Sequence, residues 1–270
     1  MISEIKNNFS PLTSNPPLKV RDLLNYIDTF APFALAEEWD NSGLMLGSYN
    51  DEVKRVAISL DAVPEAVIEA SKKSCEVLLC HHPLIFRAVK KINLDTDFGH
   101  TVYEAMTRKI NIIAAHTNWD KADEGVNFTL ANLLGLAEIK PLDGFGVIGK
   151  LPESIITEKF IEHVKNSWGL SGLDFYSDGM TEKISRVALC GGSGAEFWRV
   201  AKLHRADIYL TADMKYHELI DATRAGLSIG LCGHGEMERA SLPELAKKIS
   251  ACGLEVVMLD INALVKPLRF

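Results

Sequence analysis

Two adjacent histidines, His81 and His82, follow the apolar run at residues 76–80. The run is short, comes after a helical pattern and is closed by Pro83, so it predicts a buried strand that ends at the pair. Ligands of parallel α/β sheets bind at such strand ends. Neighbouring side chains of an extended chain point in different directions, so the two imidazoles suit two metal ions better than one. By itself, the pair is explained equally well as two ordinary loop histidines.

The same pattern recurs at two later apolar runs. One ends at His116 and the other just before His234, and each histidine is followed four residues later by a carboxylate, Asp120 or Glu238. That spacing places both side chains on one face if the segment begins a helix. Mixed imidazole and carboxylate ligands suit zinc, iron or manganese, and six candidate donors exceed what one tetrahedral ion takes. The three strand ends together therefore predict a metal site, with two ions favoured over one.

Two further polar segments are candidates for the same site. Residues 36–44 are interpreted either as a turn in which Asp40 or Asn41 bonds nearby backbone, or as a loop that covers the site and contacts substrate. A later strand end carries His217 and Glu218, which either approach the site or only cap a helix. We predict substrate contacts for Asp40, Asn41 and Glu218, and a catalytic role for His217.

The glycine-rich turn at residues 191–194 lies between a predicted strand and a predicted helix. Such a turn can hold an anion against a helix N-terminus. Its spacing fits neither the G-x-G-x-x-G nor the P-loop pattern, so a plain tight turn is favoured over a phosphate site.

Composition narrows the class of protein. The chain has 270 residues, 47% of them hydrophobic and 24% charged, which is ordinary for a globular protein of one large or two modest domains. Its net charge of −7 argues against a nucleic-acid partner. No signal segment or membrane-length apolar run is evident, so we expect a cytoplasmic protein without a membrane partner.

Five cysteines, an odd number without C-x-x-C spacing, suit a reducing compartment and not a disulfide framework. Cys80 and Cys232 lie within two residues of proposed metal ligands. They are interpreted as small buried hydrophobic residues in preference to soft metal ligands.

Strands alternate with helical patterns along the chain, which predicts an α/β fold. Helices are predicted after Lys19, from Pro64, beyond Gly99, after Gly125 and over residues 157–168. The stretch 187–211 repeats the strand, turn, helix and strand of residues 56–81 at nearly equal lengths, so two related halves are expected. The second half carries Ala212 and Asp213 where the first has its histidine pair, which predicts that only the first half serves the metal site.

The apolar periodicity pauses at residues 141–146, where we place a domain boundary. If His234 and Glu238 share a site with His81, the chain must return to the first half near its end. The sequence then predicts a mobile tail at 1–17, a metal-binding domain at 18–141 plus 231–270, and a second α/β domain at 142–230.

Four motifs resemble the Nif-three-like (NGG-interacting-factor-like) family, whose bacterial members are called GTP cyclohydrolase type 2 homologues. They are residues 39–44 (WDNSGL), residues 81–86 (HHPLIF), residues 115–120 (AHTNWD), and Gly233-His234 with Glu238. The resemblance covers almost the whole chain after the predicted tail. It implies two related three-layer α/β halves with mixed sheets, and a ring-shaped homohexamer whose sites face an inner cavity.

The same resemblance implies a dinuclear metal centre at the carboxyl ends of strands, with the glutamate bridging; the implied ligands are His81, His82, Asp120, His234 and Glu238. It also places His116 beside the ions as a supporting group or proton carrier, and we adopt that role in place of a ligand. The chain departs from many members at Tyr216-His217, where they carry two histidines, and at Gly235, where they carry tyrosine. It lacks the large middle insertion of some members, so no regulatory domain is expected.

The leading hypothesis is a hydrolase with two divalent metal ions, zinc, iron or manganese, that acts on a small nucleotide-like or heterocyclic substrate. His116 or His217 would move the proton. Two alternatives remain open at this point. One is a metal-carrier or metal-delivery protein, and the other is an interaction scaffold that metal stabilises.

Overall fold

Two β-sheets organise the chain in the computed structural model, which describes residues 17–179 and 181–259. The first sheet has five strands, in the spatial order β1 (Gly43–Leu46), β4 (Asn111–Ala114), β3 (Val77–Cys80), β2 (Arg55–Ser59) and β11 (Glu255–Met258). Four of them are parallel, and β1 pairs antiparallel with β4 at the edge. The predicted mobile tail at 1–17 lies almost wholly outside the described residues.

The second sheet is also mixed. Its six strands follow the spatial order β5 (Ala137–Pro141), β6 (Val147–Ile156), β8 (Lys183–Ser193), β9 (Ile208–Ala212), β10 (Ser228–Cys232) and β7 (Leu173–Tyr176). The central strands β8, β9 and β10 are parallel, and the outer strands pair antiparallel. Within each sheet the parallel strands therefore end at one edge, where polar side chains follow them.

Helices connect and cover the sheets. Within the described ranges they are α1 (Val20–Phe30), α2 (Pro64–Lys72), α3 (Asp97–Arg108), α4 (Thr117–Lys121), α5 (Val126–Leu133), α6 (Thr157–Trp168), α7 (Trp198–Leu203), α8 (Tyr216–Arg224), α9 (His234–Arg239) and α10 (Leu242–Ser250). Local signals account for several ends: Pro64 occupies the first turn of α2, Thr96 accepts the Gly99 N–H at the start of α3, and Gly169 closes α6 with φ +66°. None of the helices described has the length and apolar character that crossing a membrane demands.

One apolar core lies between the two sheets. It joins Leu79 of the first sheet and Leu210 of the second to Trp119 of α4, all of them buried. Separate clusters cover the outer faces, with α2 and α3 on the first sheet and α7 and α8 on the second. The sheets therefore pack against a shared interior, so their strand ends are held in a fixed relation.

The predicted repeat is observed as two βαβ units, β2–α2–β3 and β8–α7–β9, each with neighbouring parallel strands. The bounds predicted for α6 are also the observed ones. The chain returns to the first sheet through β11, whereas β5, on the near side of the proposed boundary, pairs in the second sheet. The division into two domains remains a prediction.

Three observed strands, β1, β5 and β6, are not predicted from the sequence. β1 begins inside the segment interpreted as a turn or loop, and β5 and β6 flank the stretch where periodicity pauses. Strand β6 contains Gly149 and Pro152, which weaken a strand pattern, and its register against β8 shifts between Lys150 and Ile155. Proline is tolerated at such irregularities, so tertiary pairing overrides the local signal.

Candidate metal centre

Four histidine rings lie side by side where strands of both sheets end. His81 and His82 follow β3, His116 follows β4, and His234 begins α9 after β10. The ring centroid of His82 lies 5.0 Å from that of His81, 5.8 Å from that of His116 and 5.5 Å from that of His234. The facing strand ends of the two sheets thus bring together residues that are far apart in the chain.

The Nδ1 atom of each ring is held by an oxygen of the chain. The partners are the Ala115 carbonyl for His81 (2.9 Å), Oδ1 of Asp61 for His82 (2.7 Å), Oδ1 of Asp40 for His116 (2.7 Å) and Oδ2 of Asp213 for His234 (2.6 Å). A ring that donates Nδ1–H to an oxygen is left with a free lone pair on Nε2 once it is neutral. Metal-binding histidines are generally oriented by such bonds.

Glu238, on α9, lies among three of these rings. Its Oε1 is 3.2 Å from Nε2 of His234 and 3.7 Å from Nε2 of His81. Its other oxygen, Oε2, is 2.9 Å from Nε2 of His82. The carboxylate therefore presents a different oxygen to His82 than to the other two rings, as a group shared between two cations would.

Two buried polar atoms of the site, Nε2 of His81 and Oδ1 of Asp120, have no hydrogen-bond partner. They lie 3.6 Å apart, beyond ordinary hydrogen-bond distance. A buried polar group without a partner costs free energy, so its presence in a native protein needs an explanation. A cation between the nitrogen and the oxygen would satisfy both atoms.

Donor atoms of two overlapping groups lie within 4.8 Å of one another among the residues the structure describes. The groups are His81, His82 and His116, and His82, His234 and Glu238. Imidazole nitrogen and carboxylate oxygen are the ligands that zinc, iron and manganese accept. The chain therefore contains histidine and glutamate groups able to hold a metal ion.

The pKa values of the two buried carboxyl groups are shifted in opposite directions. Burial alone would raise the pKa of Glu238, but the charge of His81 and the hydrogen bonds of the neighbouring rings hold it well below the usual carboxyl value. For Asp120, burial raises the pKa, His81 opposes the shift and the charge of Glu238 adds to it. Glu238 is therefore the carboxylate that stays ionised without metal, and Asp120 keeps a proton more readily.

Two of the rings are held in the protonated form. Burial lowers the pKa of His82, but hydrogen bonds to Asp61 and Glu238 outweigh it and raise the pKa to about 10. The pKa of His234 is raised to about 9 against burial by Glu238 and Asp213. Both rings are therefore protonated on both nitrogens, and positively charged, at neutral pH in the metal-free protein. A metal ion must displace these protons, so acid weakens its binding.

The turn at residues 191–194 forms part of the wall of the centre. Gly192 has φ +65°, and a Cβ on it would overlap Oε1 of Glu238 and lie 3.2 Å from Nε2 of His234. The N–H groups of Gly191 and Gly194 donate to Asn127 and Thr211 side chains. Two of the four N–H groups of the turn are therefore engaged within the protein, and Gly192 leaves room beside the carboxylate.

A cavity of about 470 Å³ opens beside the centre, within the range of small-molecule sites. Its lining includes five residues of the centre, His82, His116, Asp120, His234 and Glu238. It also includes four aromatic rings, those of Trp39, Phe86, Phe145 and Phe197. A small molecule in this cavity would therefore contact both the centre and an aromatic wall.

Residues 18–264 match the family model described as Duf34/NIF3 (NGG1p interacting factor 3). The chain belongs to this family. It is 34% identical over 258 residues to the GTP cyclohydrolase 1 type 2 homolog of Lactococcus lactis, covering 93% of this chain and 98% of that protein. It is 33% identical over 240 residues to the protein of the same name from Clostridium perfringens, covering 86% of this chain and 91% of that protein.

The fold is shared with a solved structure, that of a Bacillus cereus protein related to NIF3. The two superpose with a TM-score of 0.85 at 25% identity, covering 95% of this chain and 100% of the other. The family resemblance seen in the four sequence motifs is thereby confirmed. The predicted fold of two mixed α/β sheets is confirmed as well.

The structure brings all the predicted metal ligands of this NIF3-family chain together. They are His81, His82, Asp120, His234 and Glu238. His116 lies beside them, with its ring centroid 5.2 Å from that of His81. Metal binding by these residues remains a prediction.

The predicted substrate contacts are placed differently. The Asp40 side chain has no exposed surface; its carboxylate accepts hydrogen bonds from His116 and Thr117, so it supports His116 and does not face the cavity. Asn41 donates to the carbonyl of Ile85 and is not among the lining residues. Both interactions hold the segment interpreted as a loop against the histidine edge.

His217 and Glu218 are not brought to the cavity within this chain. His217 is exposed on α8, where it contacts the ring of Tyr216. Glu218 accepts the Lys215 N–H and so caps α8. Of the two interpretations given to this segment, the structure thus shows the helix cap, and the catalytic role of His217 remains a prediction.

The five cysteines, all within the described residues, form no disulfide bonds. Cys80 is fully buried, and its Sγ lies 3.3 Å from Oγ of Ser59. Burial raises the pKa of Cys80 to about 12. A thiol that resists ionisation in this way is a poor metal ligand, so the packing interpretation fits the contacts of Cys80.

The second half contributes to the site, contrary to the prediction from the repeat. Strand β10, which leads to His234, lies in the second sheet, and Asp213, at the end of β9, holds that ring. Asp61, Asp213 and Gly192 border the candidate centre, although the sequence analysis assigned none of them to it. The one available signal was position, since Asp61 and Asp213 each follow a strand end.

Proposed function

We propose that this protein is a metal-dependent hydrolase with two divalent ions, zinc, iron or manganese. The proposed ligands are His81, His82, Asp120, His234 and Glu238, with Glu238 shared between the ions. The substrate class is a small nucleotide-like or heterocyclic molecule. The name carried by curated relatives, GTP cyclohydrolase 1 type 2 homolog, supports this class of reaction.

The unsatisfied pair formed by Nε2 of His81 and Oδ1 of Asp120 carries the proposal. Both atoms are buried, and Glu238 lies 3.7 Å from the same nitrogen. A structure without a cation would leave this nitrogen and this oxygen unpaired, at a cost of about 1–3 kcal/mol each. A substrate in the cavity next to the pair could reach a cation that the pair binds.

Divalent ions bound here would lower the pKa of a coordinated water and neutralise charge that develops on the substrate. The chain supplies the proton transfer. His116 is positioned to accept or donate a proton at Nε2, because its Nδ1 is held by Asp40. Asp40 is itself fixed by the Thr117 N–H and hydroxyl and by the Ser42 hydroxyl, so the ring keeps one orientation.

A metal-carrier or metal-delivery protein is the second candidate, because part of the centre is open to solvent. The side chains of His82 and His234 keep 26% and 33% of their surface exposed. Ions held by such residues exchange more readily than ions in a closed site. The homohexamer implied by the family, and a cytoplasmic location, remain predictions alongside either function.

Elemental analysis of anaerobically purified protein, followed by a turnover screen against nucleotides and nucleosides, tests the proposal. We expect metal-dependent turnover that falls at least a hundredfold in Glu238→Gln while circular dichroism is unchanged. Glu244→Gln, which alters a surface carboxylate paired with Lys247 on α10, is the matched control and should retain full activity. Tight metal binding with exchange within minutes and no turnover would instead support the carrier.

A further inference from the structure

The cavity beside the centre has two separate aromatic surfaces. Phe145 and Phe197 stack nearly parallel, with an interplanar angle of 16° and centroids 6.0 Å apart. Trp39 and Phe86 meet edge to face at 5.7 Å. All four rings line the same cavity, so a ligand inside meets flat apolar surface from both halves of the chain.

The stacked pair is held in place by the backbone. Gly144 has φ +103°, and a Cβ there would lie 2.9 Å from a ring carbon of Phe197, so only glycine lets this loop approach. A ring inserted between two others needs about 7 Å between them, twice the usual carbon–carbon contact. At 6.0 Å, Phe145 and Phe197 are too close for that. A ligand must therefore lie against the pair and not within it.

The second surface adjoins the proton carrier of the proposed mechanism. The centroids of Trp39 and Phe86 lie 6.2 Å and 6.1 Å from that of His116. Trp39 is also 58% exposed, so its ring is available to a ligand in the cavity. A planar ring stacked here would be next to His116.

Outside the proposed metal ligands, the charges of the lining oppose a polyphosphate. Two carboxylates, those of Glu37 and Glu196, line that part of the cavity. Among the described residues no lysine or arginine lines it. Lys121 approaches the wall, 5.5 Å from the Phe145 ring centroid, but its ammonium is paired with Glu37 at 2.6 Å. Besides divalent ions, sites for nucleoside triphosphates normally hold the phosphates with lysine, arginine or free backbone amides.

We infer that the substrate is an uncharged planar heteroaromatic compound of the nucleobase or nucleoside class, and not a nucleoside triphosphate. The ring lies on the Phe145–Phe197 surface and against Trp39, within reach of His116. This inference rests on the proposed function only in taking the cavity as the substrate site. It restricts the substrate class from nucleotide-like molecules to nucleobases and nucleosides, which carry the ring without the phosphates.

Tryptophan fluorescence of the full-length, zinc-loaded protein measures this binding directly. Trp39 is exposed, whereas Trp119, Trp168 and Trp198 are buried, so a soluble ligand that quenches emission reports mainly on Trp39. The probes are guanosine and adenosine, each compared with its own triphosphate, with ribose 5-phosphate as a ringless control. We expect saturable quenching by the nucleosides and at least tenfold weaker binding of the triphosphates.

Variants separate stacking from non-specific quenching. Phe145→Leu and Phe197→Leu should each weaken nucleoside binding at least fivefold, the effect of losing one stacking partner. Tyr49→Leu removes an exposed aromatic residue that is not part of the cavity lining and should leave affinity unchanged. If the phenylalanine variants fold poorly, Trp39→Leu alters an exposed position, and calorimetry then replaces fluorescence as the readout.

Three results would overturn the inference: triphosphates that bind as tightly as nucleosides, nucleosides that do not bind, or ring variants with unchanged affinity. Its failure is distinguishable from that of the proposed function. Nucleoside binding without turnover would count against the hydrolase and leave the inference standing. Turnover of a substrate that has no aromatic ring would support the hydrolase and contradict the inference.

Discussion

Gly192 shows how closely the backbone borders the proposed ligands. Its φ is +65°, and any Cβ would enter the space between Glu238 and His234. We expect Gly192→Ala to reduce metal affinity at least tenfold, because the methyl group displaces the shared carboxylate. Equilibrium dialysis against zinc, with elemental analysis of the protein, measures the change.

Gly169 is the matched control for this substitution. It has φ +66°, but nothing lies within 4 Å of the Cβ position. Gly169→Ala therefore incurs the same left-handed backbone strain, about 1 kcal/mol, without entering the site. Equal loss of metal in both variants would show that strain, and not occupation of the centre, is responsible.

Asp40 links the folded state to pH. Burial would raise its pKa, but hydrogen bonds from His116 and Thr117 outweigh burial and hold the pKa far below the ordinary carboxyl value. A depressed pKa stabilises the protein above the unfolded pKa of about 3.9, and this stability is lost as pH falls toward the folded pKa. We expect Asp40→Asn to lower the free energy of unfolding by about 2 kcal/mol at pH 7.

Urea denaturation at several pH values tests the sign of this effect. The difference between Asp40→Asn and the parent protein should stay constant from about pH 7 to 5 and shrink below about pH 4. Asp95→Asn, at an exposed position, should differ little from the parent at any of these values. A difference in the free energy of unfolding that grows as the pH falls would contradict the assignment of Asp40 as the stabilising anion.

At the scale of elements, the centre depends on strands that end together. Strands β3 and β4 deliver His81, His82 and His116 from the first sheet, and β10 leads to His234 from the second. Each ring is then oriented by an oxygen that follows or precedes a strand other than the one that carries the ring. Short loops at these ends place the rings without requiring long flexible segments.

Asp213, at the end of β9, tests whether the second sheet orients the centre. Its Oδ2 accepts from Nδ1 of His234 and from the Ser193 hydroxyl. We expect Asp213→Asn to weaken metal binding 10–100-fold, the usual effect of losing a carboxylate behind a ligating histidine. Ser193→Ala removes only the other hydrogen bond of Asp213 and should have a much smaller effect. Similar metal affinities in both variants would refute the orienting role.

At the scale of the whole molecule, the centre lies where two sheets with one common core meet. A cation bound there stabilises only the folded chain. At a hundredfold excess over Kd, such binding adds about 2.7 kcal/mol to the free energy of unfolding. That corresponds to a rise in Tm of about 5–10 °C for a chain of this size.

Differential scanning calorimetry with and without zinc tests this expectation. Glu238→Gln should abolish most of the rise in Tm. The rise should also be smaller near pH 5.5, because His82 and His234, with pKa raised to about 10 and about 9, retain their protons more strongly. A rise that is equal in Glu238→Gln would place the stabilising metal elsewhere.

Local patterns in the sequence were enough to predict the strand ends that carry His81, His82, His116 and His234, and the α/β class. Apolar runs of strand length followed by polar residues are a local signal, because burial on both faces demands them. The spacing of four residues from a histidine to a carboxylate also identified Asp120 and Glu238 as candidate metal ligands. Motifs 39–44 and 81–86 pointed to the family that the whole chain matches.

Only the tertiary structure decided which side chains support the centre and which stay away from it. Asp61 and Asp213 hold ring nitrogens across the site, and Gly192 borders the carboxylate, whereas His217 faces outward on α8. The physical reason is that contacts between distant strand ends depend on how the two sheets pack. A periodic pattern along one segment specifies which face that segment buries, but not which other segment meets it.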